Sequence, residues 1–257
     1  MTLPRLGVKT GGFMAVPLPR DRAWRIGATH SAQTKVLDAV LAASATQRAV
    51  VTFDLDSTLF DNRPRQLAIL SEFAAKNALT GVDRLDPEKI DGWKVAEEIA
   101  KLAGAKGRES ELMASFKTFW RTRFFTSDVC RHDVALPGAA AFVVAVERAG
   151  AKIVYLTGRH EAMRDGTADS LAAGGFPKGE ILMKPTFEMS DTQWKEVAVA
   201  RLKELGTVVA CFDNETTHVN RLRAAFKQAA VVWIRTDTSP EAEPVAADVQ
   251  EIDGFLR

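Results

Sequence analysis

The stretch that decides the fold runs Val50-Val51-Thr52-Phe53-Asp54-Leu55-Asp56-Ser57-Thr58-Leu59. Val50 to Phe53 form a mostly apolar run, short enough for one buried strand, that stops on two aspartates spaced two apart. Open α/β sheets hold their ligands at the carboxyl ends of strands, so such a strand sets carboxylates where a ligand lies. One carboxylate there can attack phosphorus, and the next can hold or deliver a proton. The same Asp, Ser and Thr residues also suit a helix N-terminus. The segment therefore takes its meaning from the rest of the chain.

Outward from it, apolar runs and helical spacings alternate. A short helix over 36–45 precedes a strand over 49–54. After Pro137 and Gly138 the pattern predicts helix 139–149, strand 152–156, helix 161–173 and strand 181–183. Helix 191–205, strand 207–212, helix 216–229 and strand 231–234 follow. Alternation of this kind implies parallel strands joined by right-handed crossovers, hence an α/β doubly wound sheet. Residues 63–135 interrupt the series just after the acidic loop. Leu67, Leu70 and Phe73, then Ile99 and Leu102, then Leu112, Phe116, Trp120 and Phe124 recur at helical spacing there. Three or four helices inserted over the site are predicted. The expected division is a Pro/Gly-punctuated arm over 1–30, a core of 31–62 with 136–257, and a helical insertion over 63–135.

The 257 residues are 46% hydrophobic and 26% charged, an ordinary globular composition with room for a substantial core. A net charge of +1 offers no large basic surface to nucleic acid, although reading of a nucleic-acid end stays open. No apolar run approaches the ~20 residues that span a bilayer, so no membrane partner is expected. Arg5 and Lys9 lie among stretches broken by Gly11, Gly12, Pro17 and Pro19, a poor signal peptide that reads as cytoplasmic. Cys130 and Cys211 have no metal-ligand spacing and no disulfide pattern, and Cys211 is expected in the core. Oligomeric state leaves no mark in the sequence.

Three further segments bear on chemistry. Ile153-Val154-Tyr155-Leu156 leads into Thr157-Gly158-Arg159, a strand ending on a hydroxyl and backbone donors suited to an anion. Arg159 suits either the substrate or a surface ion pair. A phosphoryl group needs a fixed cation, and Lys184 and Lys195 compete for that place. Lys195 is preferred, because it lies in the first turns of a helix opened by Ser190 and Asp191. Val208 to Phe212 ends on Asp213-Asn214-Glu215, where hard oxygen ligands would suit Mg²⁺. Asp54 and Asp213 can supply two carboxylates, the Asp56 carbonyl a third oxygen, and Asn214 or Glu215 a partner for bound water. His30, His132, His160 and His218 show neither metal spacing nor a nearby nucleophile, so surface or capping roles are expected. Trp120 is expected in packing, with the substrate entrance as the other reading.

Together these segments resemble the haloacid dehalogenase (HAD) superfamily of phosphohydrolases. Asp54, Asp56 and Thr58 match its Asp-x-Asp-x-Thr motif, Thr157 its second, Lys195 its lysine motif and Asp213 its last acid. Asp213-Asn214-Glu215 departs from the usual double-acid form, and the insertion carries no motif. Tyr155-Leu156-Thr157-Gly158-Arg159 is similar to acid-phosphatase-like and polynucleotide-phosphatase-like members. The resemblance implies a Rossmann-like core, a type-1 helical cap over 63–135 and a Mg²⁺ cofactor held by Asp54, Asp56 and Asp213. It implies attack by Asp54, acid then base work by Asp56, and orientation or screening of Asp54 by Thr58. Thr157 and Lys195 would hold phosphoryl oxygens, with Leu55, Gly158, Arg159 and Lys184 as further substrate or phosphate contacts. Asp56 separates the chain from dehalogenases, which lack that acid. The expected activity is Mg²⁺-dependent phosphomonoester hydrolysis through an aspartyl-phosphate, on a small phosphorylated metabolite or nucleotide. A phosphotransferase or phosphomutase using the same intermediate, or a non-catalytic binding module, are the competing readings.

Overall fold

The computed structural model describes residues 31–240 and 242–257. The arm expected over 1–30 lies outside them. Eight strands follow one another: β1 (Ala49–Phe53), β2 (Phe60–Asp61), β3 (Val134–Ala135), β4 (Lys152–His160), β5 (Glu180–Lys184), β6 (Thr207–Asp213), β7 (Ala230–Ile234) and β8 (Gln250–Ile252). The α-helices are α1 (Ser31–Ser44), α2 (Arg63–Lys76), α3 (Glu109–Phe124), α4 (Ala139–Arg148), α5 (Arg164–Ala173), α6 (Asp191–Leu205) and α7 (Thr216–Ala225). Six strands make one parallel sheet in the order β5-β4-β1-β6-β7-β8. The expected doubly wound, Rossmann-like core is what forms.

Every position of β1 is buried because helices cover both faces of the sheet. On one face Leu37 and Val40 of α1 and Phe142, Val143 and Val146 of α4 pack on Val51, Phe53 and Phe212. On the other, Trp194, Ala198 and Leu202 of α6 and Val219 and Leu222 of α7 pack on Val50, Cys211 and Trp233. Cys211 is a core residue, as its place in a strand implied. The chain leaves β1 toward β4 and β5, then returns on the other side as β6, so strand order reverses at β1. Side chains at the carboxyl ends of β1, β4 and β6 therefore face one crevice.

Three details differ from expectation. β4 stays extended to His160, where it pairs with Lys184 after a register shift, so Thr157 lies within the strand and not at its end. β8 went unforeseen, since Gln250-Glu251-Ile252 carries one inward apolar residue and gives no alternation to detect. It is followed by backbone that the buried Gln33 holds: Gln33 Oε1 accepts from the Asp253 and Gly254 amides at 2.9 and 3.2 Å. Gln33 Nε2 donates to the Leu256 carbonyl at 2.6 Å. Gln33→Leu strands these polar groups, and urea unfolding is expected to report a loss of about 2–4 kcal/mol. An unchanged urea midpoint would mean that water replaces them freely.

The third difference concerns residues 63–135. β2 and β3 pair antiparallel, Phe60 opposite Ala135, so the segment leaves and re-enters the core at one place. Ile69, Phe73, Leu112 and Phe116 belong to an apolar cluster made within the segment. It holds two α-helices and four 3-10 stretches where three or four helices were predicted. Ile99 lies in the 3-10 stretch Val95–Lys101 and Leu102 caps it, despite their helical spacing. The chain there is pinned by a bridge between Thr80 and Ala103 and turns at Gly104, whose φ of 90° suits glycine.

Candidate active site

Asp54 continues the β1–β6 ladder, its amide donating to the Phe212 carbonyl at 2.9 Å. Since Phe53 pairs with Phe212, the next residues, Asp54 and Asp213, leave adjacent strands at the same level. The third partner comes from α6. Ser190 and Gln193 close a capping box at its start, and Trp194, Lys195, Ala198 and Leu202 form its buried stripe. Trp194 donates its indole N–H to the Thr157 carbonyl at 2.9 Å, fixing α6 against β4. Helical side chains lean toward the N-terminus, which carries the Lys195 ammonium to the strand ends. Its Nζ donates to Asp54 Oδ1 at 2.8 Å and to Asp213 Oδ2 at 2.5 Å. The competing Lys184 is held elsewhere, donating to Asp191 Oδ1 at 2.7 Å.

All three groups are buried. Burial pushes the Asp54 carboxyl up to about 8; the adjacent Lys195 opposes that rise, and the Asp213 charge adds to it. Burial also raises Asp213, but Lys195 and then His218 outweigh it and hold that carboxyl well below the usual range. When Asp54 ionises, one ammonium between two carboxylates leaves a negative charge uncompensated. Two hard oxygen donors with a surplus charge fit Mg²⁺, which takes few protein ligands and fills the rest with water and phosphate. No group of three or more His, Cys, Asp or Glu that could hold a metal ion occurs among the described residues.

Asp213 Oδ1 also accepts the Glu215 amide at 2.9 Å. Asn214 accepts from the Thr58 hydroxyl at 3.2 Å and donates to the Asp237 carbonyl, so Thr58 is tied to β6. Glu215 accepts the Ser239 amide at 2.8 Å. His218, expected in a surface or capping role, lies in the first turn of α7, buried beside the site, its Nδ1 3.6 Å from Asp213 Oδ1 and without a hydrogen-bond partner among the described residues. The Leu55 carbonyl accepts the amides of Thr58, Leu59 and Phe60, folding the acidic loop tightly. Thr157 is buried and its hydroxyl accepts the Arg159 amide at 3.2 Å. Gly158 borders the crevice, and a side chain there would collide with the Asp191 carboxylate.

Asp56 is gripped by cations. Arg159 donates Nε and Nη2 to its two oxygens at 2.9 and 2.8 Å, and Arg65 Nη2 adds a bond of 3.0 Å. Burial opposes ionisation, yet Arg159 and then Arg65 hold this carboxyl below the usual range. Both guanidiniums also meet Asp133. Sequence reasoning singled out neither Arg65 nor Asp133, because charged residues at the ends of an insertion read as solvated.

A cavity of about 560 Å³ opens over these groups. Its floor carries Asp54, Asp56, Lys195 and Asp213, and its far wall Trp93, Trp120, Phe124 and Phe125 from the insertion. Trp120 thus packs on the insertion's apolar cluster, as expected, and also lines the cavity, its other reading. Its indole donates to Gln66, whose Nε2 donates to the Gly92 carbonyl at 3.3 Å. No helix among the described residues is long and apolar enough to cross a membrane.

Comparison with known structures finds similar folds at low identity. The class C acid phosphatase of Bacillus anthracis with tungstate bound is 16% identical, with 81% of this chain and 79% of that one covered and a TM-score of 0.44. CbbY from Rhodobacter sphaeroides in complex with phosphate is also 16% identical, covering 82% and 95%, with a TM-score of 0.47. No curated protein sequence matches. The family profile described as HAD superfamily, subfamily IIIB (acid phosphatase), matches residues 26–214, well over half of the length. On that match the chain belongs to the HAD superfamily, subfamily IIIB, and is a phosphatase.

Proposed function

We propose that the chain hydrolyses phosphomonoesters with Mg²⁺ through an aspartyl-phosphate on Asp54. The observation that carries this reading is the Lys195 ammonium shared between Asp54 and Asp213 at the ends of two adjacent strands. Mg²⁺ held by the Asp54 and Asp213 carboxylates and the Asp56 carbonyl would supply positive charge to the phosphoryl oxygens. Lys195 neutralises a further phosphoryl oxygen and opposes the rise of the Asp54 carboxyl, and a bound Mg²⁺ would complete its ionisation for attack. An Asp54 oxygen forms a bond to phosphorus as the ester P–O bond breaks, and the bonding pair leaves on the alcohol oxygen. That oxygen takes a proton from Asp56. Asp56 then takes one from water as the water attacks phosphorus, which frees inorganic phosphate and restores the Asp54 carboxylate.

The two guanidiniums on Asp56 favour its ionised form, so its proton arrives with the ester as the monoanion. A phosphomonoester loses its second proton near pH ~6. Turnover at low substrate is therefore expected to fall as pH rises through that value. A flat profile from pH 5 to 8 would mean that the proton comes from elsewhere.

Trp93, Trp120, Phe124 and Phe125 give the insertion's wall an apolar, aromatic face, which supports an ester whose alcohol carries a flat ring. The insertion then acts as a cap that excludes water. Purified protein with Mg²⁺ is expected to release phosphate from naphthyl phosphate at lower KM than from glycerol phosphate, and a chelator abolishes both activities. Phosphate found on an added alcohol would favour a phosphotransferase. No release from either ester removes the proposal.

A further inference from the structure

Asp133 is a buried charged residue with no part in the chemistry above. The Asp133 side chain is wholly enclosed, just ahead of β3, where the insertion returns to the core. Its Oδ1 accepts Arg65 Nε at 2.7 Å, and its Oδ2 accepts Arg65 Nη2 together with Arg159 Nη2, the latter at 2.7 Å. The same two Nη2 nitrogens continue to Asp56 Oδ1, at 3.0 Å from Arg65 and 2.8 Å from Arg159. Each guanidinium thus bridges two carboxylates through a single nitrogen.

We propose that Asp133 is a positioning residue for Asp56, locking Arg65 and Arg159 so that the Asp56 carboxylate keeps one orientation toward the leaving oxygen. The proposal rests on the hydrolytic reading. Stability alone does not account for the arrangement, since buried ion pairs are often no better than apolar residues of equal volume. What the four charges add is direction. A guanidinium fork presents its donors in a fixed plane, and Asp133 takes two of the donors of Arg65. Without Asp133, Arg65 keeps one described bond to Asp56 and can turn about it. Arg65 lies in the first turn of α2 and Asp133 at the far end of the insertion, while Arg159 belongs to β4. Asp56 is therefore aligned by both stems of the insertion and by the core at once.

Asp56 serves both halves of the reaction, but only the first, which kcat/KM reports, differs from one ester to another. As the Asp54–phosphorus bond forms and the ester bond breaks, a nitrophenolate departs readily without help. An alkoxide departs only if Asp56 delivers its proton in line. Misdirecting Asp56 therefore slows the cleavage of alkyl esters and spares that of aryl ones, whereas general damage to the fold slows both.

The test compares kcat/KM for p-nitrophenyl phosphate and glycerol phosphate in wild type and Asp133→Asn, both saturated with Mg²⁺. The expected result is a loss of about 10²-fold on glycerol phosphate, within the usual range for acid catalysis, and less than a few-fold on the aryl ester. Equal losses on both esters, or none on either, overturn the proposal while hydrolysis itself stands. If circular dichroism finds Asp133→Asn unfolded, Arg65→Lys decides: it keeps the charge but not the fork, and the same split is expected. Equal losses there overturn the proposal too. A wild type that hydrolyses neither ester removes the hydrolytic reading, and this proposal with it.

Discussion

Asp54→Asn is expected to stay folded and to release no measurable phosphate, a loss of about 10⁴-fold or more, as when other covalent nucleophiles are removed. The amide keeps the size of the carboxylate but cannot form the ester to phosphorus. The thermal consequence runs the other way. Burial disfavours the charged form of Asp54 so strongly that its carboxyl is pushed up to about 8 without a bound cation. A neutral amide removes that cost, and Lys195 keeps Asp213 as a partner at 2.5 Å. The metal-free variant is therefore expected to melt no lower than wild type, while wild type gains more on adding Mg²⁺. Phosphate release and differential scanning fluorimetry, each with and without Mg²⁺, check both halves. Turnover above about 1% of wild type would place the nucleophile elsewhere.

The residues that made this site legible are those at which a pattern changes. Asp54 and Asp213 each end an apolar run, and a run too short for a helix has few other readings. A doubly wound parallel sheet followed from alternation alone, but its strand order, with the reversal at β1, and the edge strand β8 did not. The lysine could not be settled from the chain, because Lys184 ends an apolar strand and Lys195 lies in the first turns of a helix, and either place suits a cation beside phosphate. What separates them is the direction in which α6 throws its side chains, which is known only once the helix has docked. Arg65 and Asp133 were illegible for a different reason. Nothing in Asn62-Arg63-Pro64-Arg65 distinguishes a guanidinium that will be enclosed from one left in water, since the partners are supplied by distant segments. Helical spacing misled at Ile99 and Leu102, where the bridge from Thr80 fixes the chain more strongly than periodicity. Tertiary partners overrode local pattern there.

The second large effect is expected at Lys195. Lys195→Met keeps the apolar stem that fills its place in the buried stripe of α6 but removes the ammonium between two enclosed carboxylates. Removing one partner of a buried ion pair costs about 3–5 kcal/mol. For a chain of this length each kcal/mol is worth roughly 2–4 °C, so metal-free Lys195→Met is expected to melt roughly 10 °C below wild type. The deficit depends on pH, and its sign is fixed. Without the ammonium, Asp54 and Asp213 repel, and the folded protein retains a proton that the unfolded chain has released above its ordinary carboxylate value near ~4. In wild type the Asp54 carboxyl already rises to about 8; without the ammonium it rises further, so both proteins lose stability from the ordinary value up to pH 8 and the gap between them widens above it. Mg²⁺ replaces the missing positive charge, so it raises the melting temperature of Lys195→Met more than that of wild type. Activity does not return with stability, because the phosphoryl oxygen has lost its fixed donor; a deficit of about 10²–10³-fold is expected to persist. A melting temperature indifferent to both pH and Mg²⁺ would mean that the two carboxylates do not share one cation site, and the arrangement at the ends of β1 and β6 would then need another purpose.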